Sequence, residues 1–290
     1  MDITQRITKP LHVINSAAEY AHSSPLNSTL HELALTDALL LHASESGEST
    51  LHLWESTRPT VLLGMMDTKL PRFQEACRTL LNQSYNVLVR QSGGLAVPSD
   101  PGILNFSLIL KNPLDQRLTI EEGYQLALAL LGHTLVSERG RLVAGEVPQS
   151  YCPGSYDVSI QHKKIMGLSQ RRVKEGLGIM GYLGVHGDQT ARSQLIQHFY
   201  TTGDAYQNGS TRYPVIQPSV MGTLHSTGSA DVTVSDIRAS FHEGLASAGL
   251  ETINHTYSPH VQLLYNEAVE KLVKRNEKMM KSLFRKEVFQ

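Results

Sequence analysis

Three strand-like segments that follow one another closely limit the folds open to this chain more than any other feature. They cover residues 155–160, 165–172 and 178–185, and residues 161–163 and 174–176 between them have turn-like composition. Strands joined by such short connections pair as antiparallel hairpins, which here form a meander. The order favours an α+β fold over a doubly wound parallel sheet.

The rest of the chain alternates between helical and strand-like patterns. Helical spacing is found over residues 29–43, 73–82, 120–137, 234–246 and 260–289, and strand-like composition over residues 51–54, 60–64, 85–90 and 103–110. We expect segments 51–54 and 60–64 to be neighbouring antiparallel strands, because a turn-forming stretch separates them. The result is a mixed, largely antiparallel sheet flanked by helices, with a small C-terminal helical portion.

Two segments have alternative interpretations. Residues 201–218 are rich in Gly, Asn, Thr and Pro, which is typical either of a linker or of a loop that orders over a substrate. The last helical segment alternates Lys and Arg with Glu. This pattern predicts a solvated face or, alternatively, a docking surface for an acidic protein domain.

Composition excludes several classes of protein. The chain has 290 residues, 40% of them hydrophobic and 18% charged, with a formal net charge of -1. A full core is possible, and neither nucleic acid nor an anionic membrane is expected as a partner. Residues 1–21 lack the apolar core of a signal peptide, and no segment has the roughly 20 apolar residues of a membrane span. We therefore expect a cytoplasmic protein.

Cys152 and Lys164 have the clearest chemical implication. Cys77 and Cys152 stand outside any C-x-x-C or Cys/His cluster, so neither a disulfide framework nor a metal site is predicted. A thiol with a reference pKa of about 8.5 is a poor nucleophile at neutral pH, but a nearby lysine ammonium favours the thiolate. The pair predicts acyl transfer through a thioester. The alternative is a buried structural cysteine, which is our interpretation of Cys77.

Gly93 and Gly94 follow the predicted strand at 85–90. Adjacent glycines let a ligand approach the backbone closely and leave N–H groups exposed, although a tight turn alone would also explain them. Neither G-x-x-x-x-G-K-[ST] nor G-x-G-x-x-G occurs in the chain. Nucleotide binding therefore has no motif support.

Three motifs occur in order along the chain. They are Arg-x-Ser-Gly-Gly-x-Ala-Val from Arg90, Asp-x-Gly-x-Leu-Asn-x-Ser from Asp100, and Lys-Lys-Ile-x-Gly-x-Ser-Gln-Arg-Arg from Lys163. In this order and spacing they resemble the biotin/lipoate protein ligase and octanoyltransferase superfamily. With Ser-Tyr-Cys-Pro-Gly-Ser-Tyr-Asp around Cys152, the chain is most similar to the octanoyl-[glycine cleavage H protein]:protein N-octanoyltransferase branch.

The resemblance implies a fold and roles for individual residues. It implies a biotin/lipoate ligase-like catalytic domain over residues 30–250 and a helical extension over 251–290. Cys152 would be the nucleophile, and Lys164, rather than Lys163, the lysine of the acyl pocket. Substrate-binding residues are implied at Arg90, Ser92, Gly93, Gly94, Asn105, Gly167 and Ser169. Leu95 stands where ATP-dependent ligases commonly have a third glycine, and its side chain would occupy space that a nucleotide needs, so no cofactor is expected.

The resemblance also implies partners and a reaction. An octanoyl group would move from a lysine of the glycine cleavage H protein to a lysine in the lipoyl domain of a 2-oxoacid dehydrogenase E2 subunit. Because one amide replaces another, no ATP is needed. Three alternatives stay open: an octanoyltransferase whose donor is acyl carrier protein, an ATP-dependent lipoate ligase, and an inert module that binds lipoyl domains or acyl groups. The donor used and the reactivity of Cys152 toward mild alkylation would separate them.

Overall fold

A computed structural model describes residues 3–16, 28–229, 231–254 and 258–280. The strands are β1 (Leu11–Asn15), β2 (Thr50–Trp54), β3 (Thr60–Leu63), β4 (Asn86–Val89), β5 (Val97–Ser99), β6 (Ile103–Lys111), β7 (Val143–Ala144), β8 (Val158–Ile160), β9 (Lys163–Val173), β10 (Gly176–Gly184) and β11 (Thr252–Asn254). The α-helices are α1 (Ser28–Ser46), α2 (Phe73–Asn82), α3 (Ile120–Thr134), α4 (Gln189–Thr202), α5 (Val234–Ser247) and α6 (Pro259–Met279).

The strands form two sheets. The large sheet has the order β11-β1-β2-β6-β10-β9-β8-β7, and the small sheet has the order β4-β3-β5. From β8 through β9, β10 and β6 to β2 every pairing is antiparallel, whereas β1 is parallel to both of its neighbours. The α+β fold with a mixed, largely antiparallel sheet is therefore confirmed.

The predicted meander corresponds to β8, β9 and β10. Its turns use left-handed backbone, since Gln161 and His162 have φ of 51° and 62° and Lys174 has φ of 53°, which suits short hairpin loops. β8 is shorter than predicted because the chain turns just before it, where the Asp157 N–H donates to Gly154 O at 3.0 Å.

The pairing predicted for segments 51–54 and 60–64 is wrong. β2 lies between β1 and β6 in the large sheet, whereas β3 pairs with β4 and β5 in the small one. The chain leaves one sheet for the other near Ser56, whose hydroxyl is buried against those of Thr29 and Ser99. The turn-like composition between the two strands marks this crossing, and distant residues determine the partners of each strand.

The helices agree with the sequence pattern except at a few ends. α2 begins and ends where predicted, whereas α3 ends at Thr134 and a 3-10 turn covers Val136–Glu138. β1, β5, β7, β11 and α4 have no counterpart among the predicted elements. α6 ends at Met279, and residues 281–289 of its predicted continuation lie outside the described residues. Within the described ranges, no helix has both the length and the apolar composition to cross a bilayer.

Helices cover both faces of the large sheet. α3 and α5 pack on one face, in a core that includes Leu104, Phe106 and Leu108 of β6. α1 packs on the other face, and α6 lies against α1. Because side chains alternate along a strand, Asn105 and Ser107 of β6 lie on the α1 face, where the cavity described below is found.

The segment at 201–218 is a packed connection between elements. Tyr213 and Ile216 are buried, and the Tyr213 hydroxyl donates to Met66 O at 2.8 Å. In the described part of the chain, none of its residues lines the cavity described below. This placement favours a linker over a loop that orders over a substrate.

Candidate active site

A cavity of about 410 Å³ lies between the α1 face of the large sheet and the loop that follows β4. Cavities of roughly 300 to 1,000 Å³ are typical of small-ligand sites. Every residue for which the motifs implied a role lines this cavity: Arg90, Ser92, Gly93, Gly94, Asn105, Cys152, Lys164, Gly167 and Ser169.

The loop after β4 is organised by the Arg90 side chain. Its Nε and Nη2 donate to Gly93 O at 3.2 and 3.0 Å, and Nη2 also donates to Leu95 O at 2.8 Å. Gly94 has φ of +98°, and a Cβ at that position would lie 2.8 Å from Cys152 Sγ and 2.5 Å from Arg90 Nη2. Glycine is required there because of both backbone conformation and space.

Cys152 faces this loop. The Leu95 N–H donates to its Sγ at 3.1 Å, and Arg90 Nη2 lies 3.8 Å from the same sulfur. Cys152 has φ of 46°, which is uncommon for a residue other than glycine. Its side chain is half-buried, so the sulfur is both oriented and accessible from the cavity.

Lys164 is buried beside Cys152 but is bound to its backbone. Its Nζ donates to Cys152 O at 2.6 Å and to Tyr151 O at 3.0 Å, and forms an ion pair with Asp157 Oδ2 at 2.8 Å. Only 1% of Lys164 is exposed. The structure thus brings Cys152 and Lys164 into contact through a carbonyl oxygen, while Leu95 and Arg90 provide the hydrogen bonds to the sulfur.

Known proteins are similar to this chain in sequence and in fold. Residues 28–246 match the family model described as the lipoyl protein ligase A/B catalytic domain. The chain belongs to this family. The superfamily resemblance inferred from the three motifs is thereby confirmed.

Two curated relatives show where within the lipoyl protein ligase A/B family the chain lies. An octanoyl-[GcvH]:protein N-octanoyltransferase of Geobacillus kaustophilus is 37% identical over 265 residues, which cover 91% of this chain and 93% of the relative. A lipoyl-[GcvH]:protein N-lipoyltransferase of Listeria monocytogenes is 36% identical over 232 residues, which cover 80% of this chain and 83% of the relative.

Solved structures agree at the level of the fold. A lipoate-protein ligase A bound with ATP superposes with a TM-score of 0.67 at 18% identity, covering 94% of this chain and 98% of the other. A bi-partite lipoate protein ligase from Thermoplasma acidophilum superposes with a TM-score of 0.66 at 20% identity, covering 96% and 98%. The ligase-like fold is therefore confirmed.

The floor of the cavity in this lipoyl protein ligase A/B domain is built from aligned positions on neighbouring strands. Gly167 on β9 pairs with Tyr182 on β10, which pairs with Asn105 on β6. Asn105 Nδ2 donates to Ser99 Oγ at 2.9 Å, which fixes its amide between the two sheets. Ser169 lies one position further along the same face and pairs with Met180 on β10.

Asp157 is a functional candidate that the sequence did not single out. It is buried, and its Oδ2 accepts from the Gly154 N–H at 3.0 Å as well as from Lys164. Burial raises the pKa of its carboxyl, and the Lys164 ammonium opposes that rise. Its position five residues after Cys152, within the same motif, was the available signal, because a buried lysine needs a carboxylate partner.

Asp37 and Arg171 form a second ion pair in the cavity wall that the sequence did not reveal. Arg171 Nε and Nη2 donate to the two Asp37 oxygens at 2.7 and 3.1 Å, and Nη1 donates to Gln91 O at 3.2 Å. Burial raises the pKa of the Asp37 carboxyl, and Arg171 is the main group that lowers it. The pair connects α1, β9 and the loop after β4. Within the described residues, no group of three or more His, Cys, Asp or Glu side chains is arranged to hold a metal ion.

Proposed function

We propose that this protein is an acyltransferase that moves an octanoyl or lipoyl group from a lysine of the glycine cleavage H protein to a lysine of another protein. The relatives at 37% and 36% identity are named for transfer of octanoyl and lipoyl groups from GcvH. The proposed acceptors are lipoyl domains of 2-oxoacid dehydrogenase E2 subunits. An archaeal ligase of the same fold, described together with its E2 lipoyl domain, supports that choice.

The position of Cys152 is the observation that carries this proposal. Its sulfur opens into the cavity, receives the Leu95 N–H, and belongs to a residue held at a positive φ of 46°. Such conformations cost about 1 to 3 kcal/mol and are concentrated at functional sites. A structural cysteine would not need this orientation, as Cys77 illustrates: it is fully buried in α2, and burial raises the pKa of its thiol.

In the first half-reaction, the Cys152 thiolate attacks the carbonyl carbon of the donor amide. A carbon–sulfur bond forms, the carbon–nitrogen bond to the donor lysine breaks, and the leaving amine nitrogen takes up one proton from solvent water. The Lys164 ammonium donates to Cys152 O at 2.6 Å, so it fixes the backbone that carries the nucleophile.

In the second half-reaction, a neutral acceptor lysine attacks the thioester carbon. A carbon–nitrogen bond forms, the carbon–sulfur bond breaks and restores the Cys152 thiolate, and the new amide nitrogen gives one proton to solvent water. An amide is made at the expense of an amide, so no ATP is consumed, and the scheme requires ping-pong kinetics.

The acyl tail has an apolar surface to occupy in the cavity. Leu33, Trp54, Leu62, Val97 and Met180 line it. Each buried methylene contributes about 0.8 kcal/mol to binding. An eight-carbon chain thus gains enough free energy to hold the carbonyl against Cys152 while the carrier lysine is exchanged.

The decisive experiment is intact-mass spectrometry of the protein mixed with octanoylated H protein in the absence of ATP, followed by peptide mapping. We expect a thiol-labile octanoyl adduct on Cys152, and a parallel sample with lipoylated H protein tests the second acyl group. An adduct formed only from octanoyl acyl carrier protein would replace the proposed donor. No adduct from either carrier would contradict the thioester scheme.

The matched controls are the two cysteine variants. Cys152→Ala removes the nucleophile, so the adduct and transfer to an E2 lipoyl domain should both be lost, by about a thousandfold or more in rate. Cys77→Ala changes a cysteine in α2, outside the cavity, and should still give the adduct. Full turnover by Cys152→Ala would refute the mechanism.

A further inference from the structure

We propose that Arg90, rather than Lys164, is the cation that holds Cys152 as a thiolate, and that the charge of Lys164 is taken up by Asp157. The inference rests on the proposed function, because a thiolate is useful only if Cys152 is the nucleophile. It assigns Arg90 a role different from the substrate-binding role that the motif resemblance implied. It is argued from the charges and hydrogen bonds around the sulfur.

The Lys164 ammonium has its bonding capacity filled. An ammonium has three N–H donors, and Lys164 Nζ has contacts with Asp157 Oδ2, Cys152 O and Tyr151 O at 2.8, 2.6 and 3.0 Å. The first of these is an ion pair between two buried groups. Lys164 and Asp157 together are therefore close to neutral as seen from the sulfur.

The Arg90 guanidinium keeps its positive charge available. It is 7% exposed, and its hydrogen bonds go to the neutral carbonyls of Gly93 and Leu95. Among the residues that the structure describes, Arg90 forms no ion pair with a carboxylate within 4.0 Å. The carboxylate that senses it is Asp67, whose own hydrogen bonds come from Gly64 and Tyr200. A buried, unpaired guanidinium favours an anion beside it.

The Arg90 guanidinium and the Leu95 N–H, which Arg90 holds in place, both lie beside the sulfur. Arg90 Nη2 lies 3.8 Å from Cys152 Sγ, and the Leu95 N–H lies 3.1 Å from it. The same Nη2 holds Leu95 O at 2.8 Å, so Arg90 also fixes the peptide that supplies the second donor. Arg90 acts on the sulfur directly through its charge and indirectly by positioning the loop.

The other ionisable groups that face Cys152 do not compete for this role. Tyr124 of α3 and Tyr200 of α4 both sense the charge of Cys152, and burial is the main cause that raises the pKa of each phenol. Both are neutral at physiological pH. Among the described residues, Arg90 is the cation with a contact to the sulfur itself, and it presents a rigid fork rather than a flexible amine.

The test is the pH profile of Cys152 alkylation by iodoacetamide, read by peptide mass mapping without any acyl donor. The midpoint of wild-type protein is the reference for the variants. Arg90→Gln should move the midpoint up by about one pH unit or more, since an adjacent opposite charge shifts a titration by about 1 to 3 units. Arg90→Lys, which keeps a charge but not the fork, should fall between the two.

The matched control removes the other cation together with its partner. The double variant Asp157→Asn, Lys164→Gln replaces a neutral pair by a neutral pair, so the midpoint should stay near that of wild type. Thermal unfolding of each variant checks that it is folded. If Arg90→Gln does not fold, Arg90→Lys and the double variant decide the question.

Two results would overturn the inference: an unchanged midpoint in Arg90→Gln, or a larger upward shift in the double variant than in an Arg90 variant. Because no donor is present, the outcome is independent of acyl transfer. An upward shift in Arg90→Gln together with no octanoyl adduct in wild type would contradict the proposed function while leaving the role of Arg90 intact.

Discussion

At the scale of single residues, the geometry of the site depends on two glycines, which have no Cβ atom. Gly94 brings the backbone of the loop after β4 to within van der Waals distance of Cys152 and Arg90, since a Cβ there would lie less than 3.0 Å from both side chains. Gly64 lets the end of β3 approach the same loop closely, because a Cβ there would lie 1.8 Å from Gly94 O. The sulfur, the guanidinium and the loop can meet only because these positions carry no side chain.

Gly94→Ala is therefore expected to impair chemistry more than folding. The left-handed backbone makes alanine less favourable by about 1 to 2 kcal/mol, and the new methyl group must displace either Cys152 Sγ or the Arg90 fork. A displacement of about 1 Å can lower the rate by about a hundredfold. Steady-state transfer of octanoyl groups and urea unfolding measure the two effects separately.

The neighbouring glycine provides the control. A Cβ on Gly93 would have no atom within 4 Å, so Gly93→Ala should cost less in both measurements. Equal losses in the two variants would mean that the close approach at Gly94 is not what orients the sulfur.

The sequence motifs predicted the residues that line the cavity but not the contacts among them. The motifs led to nine residues that all line one cavity, because they combine rare residue types at fixed spacing. They did not reveal that Lys164 binds a carbonyl and Asp157 while Arg90 and Leu95 contact the sulfur. Those contacts depend on side-chain directions that only the packed loops determine.

At the scale of elements, Asp67 connects three parts of the fold behind the site. It lies after β3, accepts from the Gly64 N–H at 2.7 Å, and accepts from the hydroxyl of Tyr200 on α4 at 2.9 Å. The Tyr200 oxygen in turn accepts from the Ala96 N–H. Burial raises the pKa of Asp67 to about 6, so this connection is sensitive to pH.

The sign of the pH effect on stability follows from that pKa. The folded value of about 6 lies above the reference value of 3.8, so the folded protein binds the proton more tightly than the unfolded chain does. The stabilisation is complete below pH 3.8 and is lost as the pH rises through 6. Relative to Asp67→Asn, wild type should lose about 2 to 3 kcal/mol between these limits.

Urea unfolding of wild type and Asp67→Asn at pH values from about 4 to 7.5 measures this difference. Asp115→Asn, at an exposed position, is the control and should follow the wild-type profile. Parallel profiles for wild type and Asp67→Asn would show that Asp67 titrates alike in both states.

The small residues of β9 leave open space in the cavity where we propose that the acyl chain binds. Ser169 faces the cavity beside Met180, so Ser169→Leu fills space that an eight-carbon chain would use. Transfer from an octanoyl donor should fall by about tenfold or more, while transfer from a butanoyl donor should change much less. A series of donors with four to ten carbons measures the preference.

Ser169→Ala is the control for this variant, because it removes the hydroxyl without adding volume. It should leave the order of preference among donors as in wild type. A uniform loss for all chain lengths in Ser169→Leu would place the acyl tail elsewhere.

Elements were predictable from the sequence where their partners are close in the chain. The hairpins of β8, β9 and β10 follow from local alternation and short turns, and α2 from its helical spacing. The sheet to which β2 or β3 belongs is set by pairing with β6 or β4, and this information is absent from either segment alone. β1 has the same dependence, since its parallel partners β2 and β11 lie far along the sequence.

At the scale of the whole molecule, the C-terminal helix is bonded to the body that carries the site. Asn276 of α6 is fully buried, and its Oδ1 accepts from the Val89 N–H at 2.7 Å at the end of β4. Arg275 Nη2 lies 3.4 Å from Arg90 O. The division into a catalytic domain at 30–250 and an extension at 251–290 stays a prediction, and these contacts indicate how it can be tested.

Asn276→Ala is expected to destabilise the whole fold. It leaves the buried Val89 N–H without its acceptor, which costs about 1 to 3 kcal/mol. Asn266→Ala on the exposed side of the same helix is the matched control. It loses an exposed contact with Gln262 but gains helix propensity, so its free energy of unfolding should stay within about 0.5 kcal/mol of wild type. Chemical unfolding gives both values. If the two variants unfold alike, α6 is a separable extension.

Two contacts, the pairing of β1 with β11 and the hydrogen bond between Val89 and Asn276, join segments that are far apart in the sequence. β1 pairs with β11, and the Val89 N–H donates to Asn276 Oδ1. Segments that are synthesised early therefore form these contacts only after much later segments have been made. At roughly 5 to 20 residues per second, a growing chain spends many seconds without the helix that supports the strand leading into Arg90. The Val89 N–H at the start of the site loop therefore gains its side-chain acceptor only after the segment around Asn276 has been made.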